Sequence, residues 1–125
     1  MRRFLAVWAL ACALPFTARA APYTPQHLTR AESLLRNEVY RSHPYLAQII
    51  DREDPEWSPL RSYGGWGDTN ASYGLCQADP GYKMDGHPGW MTNPWVQLRW
   101  CVSYADGSYG SEQAAWVFWQ GHSWW

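Results

Sequence analysis

The chain has 125 residues, 17% of them charged and 17% aromatic, and its formal net charge at pH 7 is −1. This length suits one domain with a modest core. A chain without a basic excess is a poor match for nucleic acid or an anionic membrane surface as its main partner.

Residues 1–20 have the pattern of a secretory signal peptide. Two arginines follow the first methionine, residues 4–16 are almost wholly apolar, and residues 18–20 show a small-x-small cleavage pattern. The apolar run is too short to span a bilayer, so we expect a secreted or extracytoplasmic mature domain of residues 21–125. Its 7 basic and 11 acidic residues give a net charge of −4. Cys12 follows a weak lipoprotein-like box, which leaves lipidation open.

Two helices are predicted at the start of the mature domain. The first runs from Pro25 to about Arg41, because Thr24 can cap it and proline suits its first position. The second starts at Pro44, with Ser42 as its cap. The apolar face of the first helix consists of Leu28, Ala31, Leu35 and Val39.

The second predicted helix ends in an acid on its apolar face. Leu46, Ile49, Ile50 and Glu53 follow the spacing i, i+3, i+4, i+7, and Pro55 blocks continuation of the helix. Burial and the negative end of the helix dipole both oppose ionisation, so the pKa of Glu53 is expected to rise. A carboxyl that stays protonated near neutral pH can act as a general acid. The alternative interpretation is a surface glutamate near a helix end.

The segment from residue 56 to residue 92 shows no helical or strand periodicity. Glycine, proline, aspartate, asparagine and serine interrupt it every few residues, and residues 61–72 read as a loop or short hairpin. A long irregular stretch in a compact domain is uncommon and often functional.

Cys76 and Cys101 are the two cysteines left after signal cleavage. In an oxidising compartment we expect them to form one disulfide, which stabilises by about 3 kcal/mol on the chain-entropy model. The histidines fit no metal-ligand spacing, so we expect no metal site and no other cofactor.

Helical patterns return near the C-terminal part of the chain. The third predicted helix begins at Asn93-Pro94, ends at residues 107–110 and directs Gln97 away from the core. A fourth runs from Glu112 to about residue 120, with Gly121 as its stop. The prediction is one small, mainly helical domain with an irregular middle. The inward stripe of the third helix is predicted as Trp95, Leu98, Val102 and Ala105.

Tryptophan is abundant in the mature domain, which holds nine of the ten tryptophans in the chain. Most are expected to fill the core. Flat rings also stack on the C–H faces of sugars, so this composition suits a carbohydrate ligand. Trp124 and Trp125 either cover the fold or extend a sugar groove.

Two segments carry motifs in a familiar order. Residues 52–59 read Arg-Glu-Asp-Pro-Glu-Trp-Ser-Pro, and residues 72–81 contain Tyr-Gly-Leu-Cys-Gln followed by Pro-Gly. With Asn93-Pro94 and the later Trp119-Gln120, they resemble the soluble lytic transglycosylase family of the lysozyme superfamily, in its secreted single-domain bacterial branch. The resemblance covers residues 45–125 and implies an α+β lysozyme-like fold.

The resemblance also implies roles for individual residues. Glu53 matches the single catalytic acid of the family. Gln77 matches the residue that lines the cleft beside the reacting sugar, and Gly74 permits close backbone approach there. Tyr73 and Trp119 are expected to flank the groove and contact substrate.

The chain departs from the family pattern around the acid. Family members have Glu-Ser-x-Trp, whereas this chain has Glu-Asp-Pro-Glu-Trp at residues 53–57, with one extra residue. Asp54 and Glu56 therefore remain alternatives for the acid. Glu53 is preferred because it continues the apolar face of its helix and Asp54 does not.

The implied reaction is cleavage of the β-1,4 bond between N-acetylmuramic acid and N-acetylglucosamine in peptidoglycan strands, by a monomer. One carboxyl group acts as acid and then as base, and the product carries a 1,6-anhydro ring. A muramidase that hydrolyses the same bond would need a second carboxylate, for which Asp68 is the first candidate and Asp79 the second. A turn role for Asp68 is the alternative. A non-catalytic protein that binds cell-wall glycan also remains open.

Overall fold

The computed structural model describes residues 27–125. The predicted signal peptide, the Thr24 cap and Pro25 lie outside the described residues. Four α-helices dominate: α1 (Arg30–Ser42), α2 (Pro44–Glu53), α3 (Pro94–Tyr109) and α4 (Glu112–His122).

Between α2 and α3 the described chain contains a short 3-10 helix, Gly81–Met84, and two isolated antiparallel bridges. The bridges pair Tyr73 with Ser62 and with Ala78, so residues 61–72 form a short hairpin-like loop. This confirms the prediction of a mainly helical domain with an irregular middle. None of the helices within residues 27–125 is both long and apolar enough to cross a bilayer.

Helix α1 begins later than the sequence pattern indicated. Thr29 is its N-cap: the Thr29 side chain accepts from the amide of Glu32 at 3.2 Å, and the Thr29 amide donates to the Glu32 carboxylate at 2.6 Å. This capping box satisfies two of the amides that a helix start leaves unpaired, so the helix starts at Arg30 and residues 27–29 are not helical. The predicted helix is therefore wrong over residues 27–29.

Helix α2 has the predicted bounds but not the predicted cap. Ser42 is the last residue of α1, and its hydroxyl bonds the carboxylate of Glu38 at 3.4 Å. His43 precedes α2 and makes no side-chain capping bond. Because Pro44 has no amide hydrogen, the first position of α2 needs no capping partner.

A partly buried ion pair joins α1 to α2. Asp51 is fully buried and receives two hydrogen bonds from Arg36, at 2.7 and 2.8 Å. It also accepts from the hydroxyl of Tyr40 and, at 2.9 Å, from the indole of Trp57. Burial, followed by the bond to Asp51, raises the pKa of Tyr40 to about 12. The cluster anchors the segment after α2 to the two helices that precede it.

Helix α3 buries Leu98 and Ala105 as predicted, but its inward face differs from the prediction at Gln97 and Trp95. Gln97 is fully buried: its Oε1 accepts from the amide of Leu75 at 2.9 Å, and its Nε2 donates to the carbonyls of Pro59 and Trp90, both at 2.8 Å. Trp95, predicted inward, is 44% exposed. One amide side chain thus supplies hydrogen-bond partners to three loop backbone groups that have no helical or sheet partners. Satisfying these buried groups stabilises the fold more than burying the apolar side chain of Trp95 would.

The predicted disulfide is present between Cys76 and Cys101, with their Cα atoms 6.2 Å apart. It attaches the irregular middle to α3. Helix α4 is capped by Ser111, whose hydroxyl accepts from the amide of Ala114 at 3.0 Å. It continues through Gly121 to His122, one residue beyond the predicted stop, because Ser123 adopts the left-handed conformation that ends it.

Candidate active site

A groove of about 540 Å³ opens where α2 ends. Its walls come from the end of α2, from the irregular middle and from the last residues of the chain. It brings together Glu53 and Gln77, two of the residues singled out from the sequence. The groove is lined by Glu53, Arg61, Ser62, Tyr63, Ser72, Gln77, Asp79, Trp124 and Trp125.

A larger depression, of about 670 Å³, lies between α1 and the start of α3. Its walls are mostly apolar, and Leu34 and Trp95 are exposed there. The acids that line it are engaged, because Glu32 belongs to the cap of α1 and Glu38 pairs with Arg41. It therefore offers no acid poised for chemistry, and the smaller groove is the candidate active site.

Glu53 lies half-buried at the end of α2, with its carboxyl group in the groove. The indole Nε1 of Trp119 donates to Oε1 of Glu53 at 2.7 Å. Burial raises the pKa of Glu53 above its ordinary value, and the bond from Trp119 lowers it by a smaller amount. The direction agrees with the prediction from the helix pattern. Trp119 occupies Oε1, so Oε2 is the oxygen suited to carry a proton for donation.

Stacking fixes Trp119 in place. Its ring lies nearly parallel to that of Trp116, with centroids 5.8 Å apart and an interplanar angle of 16°. The guanidinium of Arg52 lies over both rings, 4.7 Å from the centroid of Trp116 and 5.5 Å from that of Trp119. The resemblance implied that Trp119 flanks the groove. In the structure Trp119 is not among the residues lining the groove, but its N–H binds the candidate acid that does line it.

Gln77 forms part of the groove wall and has a left-handed backbone, with φ 50°. Its Nε2 donates to the carbonyls of Gly74 at 2.8 Å and Arg61 at 3.2 Å. An amide nitrogen has two hydrogens, so both are used. The remaining acceptor, Oε1, is the atom that Gln77 can offer to a ligand.

Tyr73 and Gly74 support the wall from behind rather than facing the groove. Tyr73 is 2% exposed, its hydroxyl donates to the carbonyl of Met91 at 2.7 Å, and its ring packs edge-on against Trp90. Gly74 has φ 78°, and a Cβ there would lie 2.5 Å from Oε1 of Gln97. The close approach expected at Gly74 is therefore to a buried side chain of the protein, and neither residue is among those lining the groove.

The two candidates for a second carboxylate differ in location, because only one of them lines the groove. Asp68 is held in its own turn, where Oδ1 accepts from the amide of Asn70 at 2.9 Å, and it is not among the groove residues. This is the turn geometry that aspartate favours. Asp79, the second candidate, does line the groove.

The two alternatives to Glu53 also lie in different surroundings. Glu56 is exposed and pairs with Arg61 at 3.2 Å. Asp54 is fully buried, and neither of its carboxyl oxygens has a hydrogen-bond partner within residues 27–125. Burial raises the pKa of Asp54 to about 8. Of the three acids in this segment, Glu53 is the one that lines the groove.

Sequence patterns did not identify Tyr63 or Arg61 as groove residues. Tyr63 lies in the glycine-rich loop and is 91% exposed, and Trp124 on another wall is 58% exposed. An aromatic residue between turn residues was the available signal for Tyr63, because a large ring left in a polar loop often serves binding.

Comparison with protein-family models gives no match for this chain, and neither the curated proteins nor the solved structures contain a significant match.

Proposed function

We propose that this chain is a secreted, lysozyme-like lytic transglycosylase that cleaves the N-acetylmuramic acid–N-acetylglucosamine bond of peptidoglycan. The observation that carries the proposal is the state of Glu53. Its carboxyl group lies in a groove of sugar-binding size, burial raises its pKa, and a neutral donor holds one of its oxygens. These are the properties that a general acid needs near neutral pH.

In the first step, Oε2 of Glu53 donates its proton to the glycosidic oxygen as the bond to the anomeric carbon breaks. The carboxylate that forms is stabilised by the indole N–H of Trp119, which is already 2.7 Å from Oε1. A donor that is in place before the reaction costs no reorganisation when the charge develops. The same carboxylate lies beside the positive charge that builds on the sugar ring.

In the second step, Glu53 takes the proton from the 6-hydroxyl of the muramic ring. That oxygen attacks the anomeric carbon and closes the 1,6-anhydro ring, and Glu53 returns to its protonated form. One carboxyl group thus completes the cycle, and no water is consumed. This agrees with the placement of Asp68, which is bound within its own turn.

The groove walls suit a glycan. Tyr63 and Trp124 project exposed rings from two separate segments onto the groove that holds Glu53. Aromatic faces of this kind bind the C–H faces of pyranose rings, while Oε1 of Gln77 can accept from a sugar hydroxyl or acetamide.

Hydrolysis of the same bond is the second candidate, because Asp79 also lines the groove. An inverting hydrolase needs a partner carboxylate about 6.5–9.5 Å from the acid, with a water between them. In that mechanism Asp79 would activate the water.

The first prediction concerns the products. Purified peptidoglycan is digested with the protein, and the fragments are weighed by mass spectrometry. Anhydro ends, lighter by one water than reducing ends, support the transglycosylase, and reducing ends support the hydrolase.

Glu53→Gln is expected to lower the cleavage rate by at least about a hundredfold, because a positioned acid contributes that much. Asp68→Asn is the matched control and should retain activity. Equal cleavage by wild type and Glu53→Gln would remove Glu53 from the mechanism. Binding of glycan without cleavage by wild type would identify a binding protein instead.

A further inference from the structure

The residue before the candidate acid lies over the tryptophan that binds this acid. The guanidinium of Arg52 is 4.7 Å from the ring centroid of Trp116 and 5.5 Å from that of Trp119. Both distances are in the range of a cation–π interaction. The indole of Trp119 in turn donates to Oε1 of Glu53 at 2.7 Å. Arg52 and Glu53, which are adjacent in α2, therefore contact the same side chain of α4.

The two contacts of Trp119 use different parts of its ring. An indole N–H lies in the plane of the ring, at its electropositive edge, whereas a cation binds over the electronegative face. A cation over the face draws electron density out of the ring and makes the N–H a stronger donor, because groups in contact polarise one another in a poorly hydrated site. The charge of Arg52 can thus act on Glu53 through the indole.

Arg52 is itself held in place. Its side chain is half-buried, and its Nη1 donates to the carbonyl of Gln48 at 2.8 Å. Trp116 is buried, and its ring is nearly parallel to that of Trp119. A guanidinium bonded to α2 and packed on two rings of α4 restricts the orientation of both rings. The donor to Glu53 is therefore in position before the reaction and needs no reorganisation.

The position of the charge matters as much as its presence. Burial raises the pKa of Glu53, and the smaller opposing effect comes from the bond of Trp119. A guanidinium bonded to the carboxylate itself would favour the ionised form strongly and remove the proton needed for donation. With the cation over the indole, the developing carboxylate is stabilised while burial remains the larger influence.

We propose that Arg52 is a positioning residue for the cleavage reaction, which holds the indole of Trp119 on Glu53 and strengthens the hydrogen bond that the indole donates. Arg52 is not among the residues that line the groove, so it acts on the acid through Trp119. The effect on rate rests on the proposed function. The contact between the three side chains is a property of the folded protein and can be measured without substrate.

The test is a double-mutant cycle between Arg52 and Trp119. Arg52→Met removes the charge but keeps a long, flexible side chain over the rings and a residue that favours helix. The pKa of Glu53 is measured by NMR titration of its isotope-labelled carboxyl group in wild type, Arg52→Met, Trp119→Phe and the double variant. The other charged residues that line the groove, Arg61 and Asp79, are unchanged in all four proteins.

We expect Arg52→Met to raise the pKa of Glu53 when Trp119 is present, because a weaker donor stabilises the carboxylate less. In the Trp119→Phe background the same substitution should leave the pKa unchanged, because the donor has already been removed. The cleavage rate should follow, with kcat of Arg52→Met about fivefold lower and KM unchanged. Arg52→Lys keeps a cation and should recover part of that loss.

Hydrogen exchange gives a second measurement that needs no substrate. The indole N–H resonance of Trp119 is identified by its absence from the spectrum of Trp119→Phe. Its exchange with solvent should be faster in Arg52→Met than in wild type, because the weaker hydrogen bond protects it less. Arg99→Met is the matched control, since it makes the same change at an exposed position of α3 outside the groove. It should alter neither the exchange rate nor the pKa of Glu53.

A rise in the pKa of the same size in both backgrounds would show that the charge of Arg52 acts directly on Glu53, and it would overturn the inference. An unchanged pKa and unchanged exchange in Arg52→Met would also overturn it. If Arg52→Met does not fold, Arg52→Lys takes its place in the cycle and should give a smaller rise, again only when Trp119 is present.

The proposed function fails separately from this inference. A pKa of Glu53 that depends on Arg52 through Trp119, in a protein that yields no cleaved products, would remove only the enzymatic proposal. Cleavage that depends on Glu53 but not on Arg52 would remove only the role of Arg52.

Discussion

Glu53 and Trp119 form the contact on which the proposed chemistry depends. The indole N–H is neutral, so it stabilises the carboxylate without placing a full positive charge beside it. A cation at the same distance would lower the pKa of Glu53 strongly and leave it ionised at neutral pH. With the neutral indole in that place, burial raises the pKa of Glu53 more than the hydrogen bond from Trp119 lowers it.

Trp119→Phe tests that balance at a single residue. The variant keeps an aromatic ring but loses the hydrogen bond to Glu53, which lowers the pKa, so the pKa of Glu53 should rise further. Because the donating form is protonated, the alkaline limb of the pH–rate profile should move to higher pH. The cleavage rate should also fall, because the developing carboxylate loses its donor.

The control for this variant is Trp95→Phe, which makes the same change at an exposed position outside the groove. Trp95→Phe should leave the pH–rate profile unchanged. An unchanged alkaline limb in Trp119→Phe would show that the indole does not control the acid.

At the end of α2, three acids within four residues have three different surroundings. Asp51 is buried and bound by Arg36, Glu53 lines the groove, and Asp54 is buried without a hydrogen-bond partner in the described chain. Helical geometry explains why Asp51 and Glu53 have different surroundings, because successive residues of a helix point about 100° apart. Asp54 follows the last helical residue, where the chain turns towards Trp57.

The pH dependence of stability should report on Asp54. Burial raises the pKa of this group from 3.8 to about 8, while the nearby backbone amide of Ser58 and the charge of Arg61 lower it by smaller amounts. The folded protein therefore holds a proton that the unfolded chain releases above about pH 4. Stability is greatest below that pH, falls as the pH rises to about 8, and is then constant with respect to this group. The loss at pH 7 is at most about 4 kcal/mol.

Asp54→Asn cannot ionise, so its free energy of unfolding should vary less with pH between about 4 and 8. Urea denaturation at several pH values measures this slope. Asp106→Asn, at an exposed position on α3, should keep the wild-type slope. Parallel curves for wild type and Asp54→Asn would mean that Asp54 is hydrated in the native protein.

Across the whole molecule, the groove exists because distant parts of the chain are held together. Glu53 ends α2, Gln77 lies in the irregular middle, and Trp125 comes after α4. Trp125 bonds the carbonyl of Cys76, and Cys76 is joined to Cys101 on α3. The disulfide thus connects the groove wall to the helical core.

Replacing both cysteines with alanine should therefore lower the free energy of unfolding by about 3 kcal/mol, because the unfolded chain regains the entropy of an open loop. Urea denaturation of the double variant measures the loss. Reductant should bring wild type to the same stability and leave the double variant unchanged. A loss below about 1 kcal/mol would show that neither the disulfide nor the packing of its sulfur atoms contributes appreciably to stability.

Local patterns were enough to predict much of this molecule. Periodicity and helix-ending residues predicted α2 with its observed bounds, and the Asn93-Pro94 pair predicted the start of α3. The same apolar face placed Glu53 at a buried helix end, and counting cysteines predicted the disulfide. These features succeed because each depends on a few residues close in sequence or on a pair with no competing partner.

Only the tertiary structure decided the rest. Gln97 is buried because three loop carbonyl and amide groups converge on it, and Trp119 binds Glu53 across 66 positions of sequence. Asp79 lines the groove and Asp68 does not, although both follow turn-rich segments. The sequence by itself determined which residues could carry chemistry and where the helices lie. Which of those residues meet depended on long-range packing, because contacts between distant segments leave no periodic signal in the chain.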